Sequence, residues 1–202
     1  MNKRDWNNIT LKEFYEIQNI LSVEDEYTTF NLLDYLYGID SSNMSLNEVS
    51  KYTNSLGFLK DVDNFKSFKC EDKYTINGTT YVGFLDITKV SVAQFIDYNN
   101  YIKVKPMKFE DVLSVFIIPE GHNYNDGYDL GKVKNDILDL PFRVCQKCAF
   151  FLAKQLETFV KITLFYLKGE IMKMDIPKEK KNLITQSIEK IPLLLSELSP
   201  LS

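Results

Sequence analysis

Lys73-Tyr74-Thr75-Ile76-Asn77-Gly78-Thr79-Thr80-Tyr81-Val82 reads as a β-hairpin. Asn-Gly tolerates the two left-handed residues of a type I′ turn, and β-branched and aromatic residues flank it on both sides. The hairpin is expected over roughly residues 73–86. Just downstream, Ser91 and Gln94 form a capping box, and Val90 is placed to staple onto Phe95. That helix is expected to reach about Tyr101, with Phe95, Ile96 and Tyr98 as its burial candidates. The sequence leaves open whether the hairpin packs on the helices or projects from them.

Upstream the signals are helical. Thr10 and Glu13 form a capping box with Ile9 and Phe14 as its staple, and Phe14, Ile17, Ile20 and Leu21 make one apolar face. A second helix is expected from about Val23, with Tyr27, Phe30, Leu33, Leu36 and Tyr37 at helical spacing and Gly38 ending it. Ser45 and Glu48 cap a third, which carries Val49, Tyr52 and Leu56 and is expected to close at Gly57. A connector follows, with a short strand proposed at Phe65 to Lys69.

Downstream, Phe109 to Ile118 fits a helix at Val112, Val115 and Phe116 and a strand at its β-branched end. Asp129 is placed to cap a helix from Leu130 to Leu140. Pro141 then suits the first position of a long helix ending at Gly169. That helix is apolar around much of its circumference, which predicts burial on more than one side, in the core or at a subunit interface. A last helix is expected from Pro177 to about Lys190, followed by the apolar tail Leu193 to Leu198.

The predicted class is α+β, predominantly helical, with an N-terminal helical bundle, a central β-hairpin and a long C-terminal helix. Four segments follow: a helical subdomain over 1–57, the hairpin and capped helix over 58–105, a helical region with the long helix over 106–170, and a terminal helix with apolar tail over 171–202.

A net charge of −4 disfavours nucleic acid as a partner, because phosphate binding calls for a basic face. Lys154, Glu157 and Lys161 interrupt the longest apolar-rich stretch, Ala149 to Leu167, and argue against a membrane span. No secretory signal is expected from the polar start Met1 to Trp6. Three cysteines, an odd number, fit a reducing compartment. Fourteen Phe and twelve Tyr suit either protein-contacting surfaces or a compositional bias.

Nothing in the chain predicts catalysis, a metal or a cofactor. His122 lies alone in a Gly/Asn/Asp loop, without a nucleophile close in sequence. Cys145-Gln146-Lys147-Cys148 has CxxC spacing inside an apolar helical run, so two small core-facing thiols are expected there. A zinc site would need the sequence-distant Cys70 and His122 as well. The loop at 122–133 has Val133 where a calcium loop needs a bidentate acid. Glu24-Asp25-Glu26 fits a helix start.

The element order resembles a family of small structural proteins of crAss-like tailed phages that infect Bacteroidales. The similar residues are Trp6 to Phe14, Leu36 to Asp40, Phe58-Leu59, Tyr74 to Gly78 with Tyr81, Gln94 to Asp97, Ile118 to Gly121, and Phe150-Phe151. What the resemblance implies is a virion protein of the neck or tail, a repeated subunit of the ring between portal and tail. Its partners would be copies of itself and other neck, tail or portal proteins. A tail-assembly chaperone absent from the mature virion, and an enzyme with an unrecognised site, are the competing readings. The interface is expected on the long helix or the apolar tail, at Phe150, Phe151, Phe159, Leu164, Leu194 and Leu198.

Overall fold

The computed structural model describes residues 4–23, 25–61, 70–83, 86 and 89–189. It is α+β and mostly helical. Helices α1 (Leu11–Ser22), α2 (Thr28–Tyr37) and α3 (Leu46–Ser55) precede the strands β1 (Lys73–Ile76) and β2 (Thr79–Gly83). Then come α4 (Val92–Lys103), α5 (Phe109–Leu113), strand β3 (Ile117–Pro119), α6 (Leu130–Leu138), α7 (Phe142–Lys173) and α8 (Lys178–Glu189).

The hairpin forms as its turn dictates. Asn77 and Gly78 take φ of 49° and 75°, and Ile76 pairs with Thr79 across the turn. The segment that suits both helix and strand is both: α5 covers its first half and β3 its end. Val82 of β2 pairs with Ile118 of β3, completing an antiparallel sheet in the order β1-β2-β3. Tyr74, Ile76 and Tyr81 point into the core from the hairpin, and Ile117 and Ile118 are buried behind it. A Cβ at Gly78 would meet no atom within 4 Å, so its backbone alone resists substitution. Gly78→Val is therefore expected to cost about 1–2 kcal/mol of folding stability, seen as a lower urea midpoint.

All three capping boxes close, at Thr10/Glu13, Ser45/Glu48 and Ser91/Gln94. Gln94 also donates from its amide to the Val115 carbonyl at 2.8 Å. That bond, with the i, i+4, i+8 line Gln94-Tyr98-Ile102, sets the inner face of α4. Phe95 and Ile96 are exposed as a result, which corrects the expectation that they are buried. On α1, Ile17 is buried and Phe14 and Ile20 pack against the core, but Leu21 is exposed.

Several boundaries shift for local reasons. Helix α2 starts at Thr28 rather than near Val23, because the Asp25 carboxylate accepts from the Tyr27 amide and the Thr28 hydroxyl and makes a turn there. Tyr27 and Phe30 face outward, while Leu33 and Leu36 are buried. Gly38 ends α2 in the left-handed region. Gly57 does not close α3; the chain continues through it as a 3-10 helix, Leu56–Asp61. Asp129 caps α6 through the Lys132 amide. Pro141 is the N-cap of α7 rather than its first helical residue. Gly169 does not end α7, which continues to Lys173. One internal glycine costs a helix only about 1 kcal/mol, less than the burial of Ile171 beyond it stabilises. The strand proposed at Phe65 to Lys69 lies outside the described residues.

The start of α7 is clamped by the N-terminal segment. Leu11 donates its amide to the Leu140 carbonyl at 2.8 Å, and Phe142 donates to the Ile9 carbonyl at 2.7 Å. The Phe142 ring stacks on Phe14 with centroids 3.9 Å apart, and Trp6 and Phe109 meet it at 5.2 and 6.0 Å. From there Cys145, Cys148, Leu152 and Leu156 carry the buried face of α7 along the core.

Candidate functional site

Polar clusters reach into the interior, and three of them tie elements of the fold together. Asp136 on α6 is the best developed. It accepts from the Tyr81 hydroxyl, from Lys132 Nζ at 2.5 Å and from Asn77 Nδ2 at 3.1 Å. Asn77 also donates to Asp139 at 2.7 Å. The turn residue of the hairpin is thereby fastened to α6, so the hairpin packs on the helices. Burial on its own would raise the Asp136 carboxyl, but the bonds from Lys132, Tyr81 and Asn77 outweigh it and hold the group below the usual 3.8. The stability this group contributes is complete above pH 3.8 and is lost as pH falls through its lower folded value. Asp136→Asn is expected to cost about 1–3 kcal/mol at neutral pH and to flatten the loss of stability below that pH, measured by urea unfolding across pH.

In the second cluster, the Tyr15 hydroxyl donates to Glu110 at 2.7 Å and accepts from the Phe109 amide at 2.9 Å, joining α1 to the start of α5. Burial, followed by the Glu110 carboxylate, pushes the Tyr15 hydroxyl well up, so it stays protonated.

The third holds the thiols. Cys145 and Cys148 are both buried, but on different contacts: Cys145 faces the Ile137 carbonyl on α6, and Cys148 faces the Tyr74 hydroxyl at 3.2 Å. Cys70, distant in sequence, is hydrogen-bonded to Cys148. His122 is exposed and meets the Tyr128 ring edge-on at 5.8 Å. Among the described residues, no group of three or more His, Cys, Asp or Glu side chains could hold a metal ion.

The distinctive surface lies elsewhere, on the second half of α7. Past Leu156 the helix keeps an inner line at Leu164 and Ile171, both buried. Its outer side is apolar too. Phe159 is 40% exposed, Ile162 64%, Phe165 82% and Tyr166 62%. Phe159, Ile162 and Tyr166 recur at three- and four-residue spacing, so they form one stripe, with Phe165 beside it. Met172, Met174 and, on α8, Leu183 are also exposed. Helix α8 packs on the end of α7, where Lys181 donates to the Met172 carbonyl at 2.9 Å. Charges flank the stripe on α7 itself: Glu157 pairs with Lys154 and Lys161, and Glu170 with Lys173.

Of the expected interface residues, Phe159 lies on this stripe. Phe151 is half-buried and packs against the core, and Phe150 is also half-buried. Leu164 is buried within its own chain, because it falls on the side of the helix opposite Ile162, about 100° round from Phe165, and so backs the surface rather than forming it. Leu194 and Leu198 lie outside the described residues. Sequence reasoning missed Ile162, Phe165 and Tyr166. Their signal was the all-round apolarity of the helix, which could not say which face the chain covers.

No family model, no curated protein and no solved structure matches this chain. Among the described residues, no helix is long and apolar enough to cross a membrane.

Proposed function

We propose that this chain is an assembly subunit that associates with copies of itself through the outer face of α7, and that its setting is the ring between portal and tail of a crAss-like phage virion. The exposed aromatic stripe carries the reading. Large contiguous apolar surface is unfavourable in water and marks contact sites. Bulky aromatics at the centre of a patch supply most of an interface's binding energy. Beside the stripe on α7, Lys154, Lys161, Lys168 and Lys173 outnumber Glu157 and Glu170, so a stripe-to-stripe contact between two copies would set like charges together. A ring of identical subunits needs a heterologous contact, with the stripe of one copy seated on a different surface of the next.

The virion setting rests on the resemblance at Trp6 to Phe14, Tyr74 to Gly78 and the other segments named above. Peptide mass spectrometry of purified particles from the native source tests it. A ring subunit is present at a fixed copy number in mature particles. Its absence there, with the chain abundant in infected cells, would replace this reading with that of an assembly chaperone using the same face transiently.

A further inference from the structure

We infer that Cys70 and Cys148 form an intramolecular disulfide when the chain meets a low-molecular-weight disulfide of the glutathione type, covalently tying the segment before β1 to the core face of α7. The two side chains are already hydrogen-bonded to each other, and the Tyr74 hydroxyl lies 3.2 Å from Cys148 Sγ. Tyr74 is itself held in place, since its hydroxyl accepts from the Glu71 amide at 3.1 Å. Cys70 is half-buried and reachable, whereas Cys148 is fully buried. Cys145 faces α6 instead, so the CxxC spacing does not define the reactive pair.

The chemistry divides accordingly. Cys70 loses its proton to solvent, and its sulfur attacks the small disulfide. The S–S bond of the reagent breaks and one small thiolate leaves. Cys148, deprotonated in turn, attacks Cys70 Sγ in the mixed disulfide and expels the second thiolate. Two protein thiols are oxidised by two electrons, and one disulfide is reduced to two thiols. Once Cys70 is in the mixed disulfide it has no proton to donate, and the Tyr74 hydroxyl, 3.2 Å from Cys148 Sγ, is the donor placed to favour the Cys148 thiolate for the second attack. The bond to Cys148, then burial, raises the Cys70 thiol, so the first step is slow and the pair resists casual oxidation.

The test uses the full chain, oxidised glutathione, an alkylating quench and intact-mass spectrometry with peptide mapping. The expected product lacks two hydrogens, carries no glutathione, yields a linked Cys70–Cys148 peptide and reverts with dithiothreitol. Cys70→Ser, a half-buried conservative change, is expected to abolish the internal link. Cys145→Ser is expected to leave it intact, and circular dichroism checks that each variant is folded. A stable glutathione adduct on Cys70, a Cys145–Cys148 link, or no reaction in the folded wild-type chain would each overturn the inference.

Discussion

Phe142→Ala is expected to remove about 3–5 kcal/mol of folding stability, the range for truncating a buried phenylalanine. The site explains why the upper part of the range applies. Phe142 stacks on Phe14 and touches Trp6 and Phe109. Its removal opens a cavity at the point where the N-terminal segment, α5 and the start of α7 meet. Domains of this size are stable by about 5–15 kcal/mol, so the loss is a large share of the total. With a urea slope on the order of 2 kcal/mol per molar, the midpoint should fall by about 2 M. A change below about 1 kcal/mol would mean that the aromatic cluster is not the centre of the core.

The second large effect concerns association. Ile162→Asp combined with Phe165→Asp places two carboxylates on the outer stripe. Both side chains are mostly exposed in the single chain, so folding stability should change by no more than about 0.5 kcal/mol for each substitution. Buried in an interface, the pair would remove two central apolar anchors and leave charges without partners. Self-association is expected to weaken by about 100- to 1,000-fold, equivalent to about 2.7–4.1 kcal/mol. The same substitutions at Leu164 would give the opposite pattern, with loss of folding preceding any loss of contact, because that residue is buried in its own chain.

Short-range chemistry was the most legible part of the fold. Asn77-Gly78 specified its turn, and Thr10/Glu13, Ser45/Glu48 and Ser91/Gln94 each specified a helix start, because every partner lies within a few residues. Gly57 and Gly169 misled for the complementary reason. A glycine ends a helix only if nothing beyond it gains by continuing, and the burial of Ile171 is a tertiary fact. Burial on α4 was misread for the same cause: the capping residue Gln94 turned inward to the Val115 carbonyl, and that acceptor is far away in sequence. The candidate surface was legible as a property of the whole helix and not of its faces. All-round apolarity flagged α7, but separating Leu164 from Phe165 required knowing which side the core takes. The CxxC spacing inside an apolar helix was rightly legible as two core-facing thiols, whereas the Cys70–Cys148 contact was hidden by sequence distance.

Sedimentation equilibrium of the wild-type chain beside the Ile162→Asp/Phe165→Asp variant, over a wide range of concentration, tests the central claim most directly. The account predicts a wild-type mass that rises to a whole multiple of the single chain, and a folded variant that remains a single chain across the same range. A wild-type protein that stays a single chain at every concentration, or a variant that assembles as well as the wild type, would contradict it.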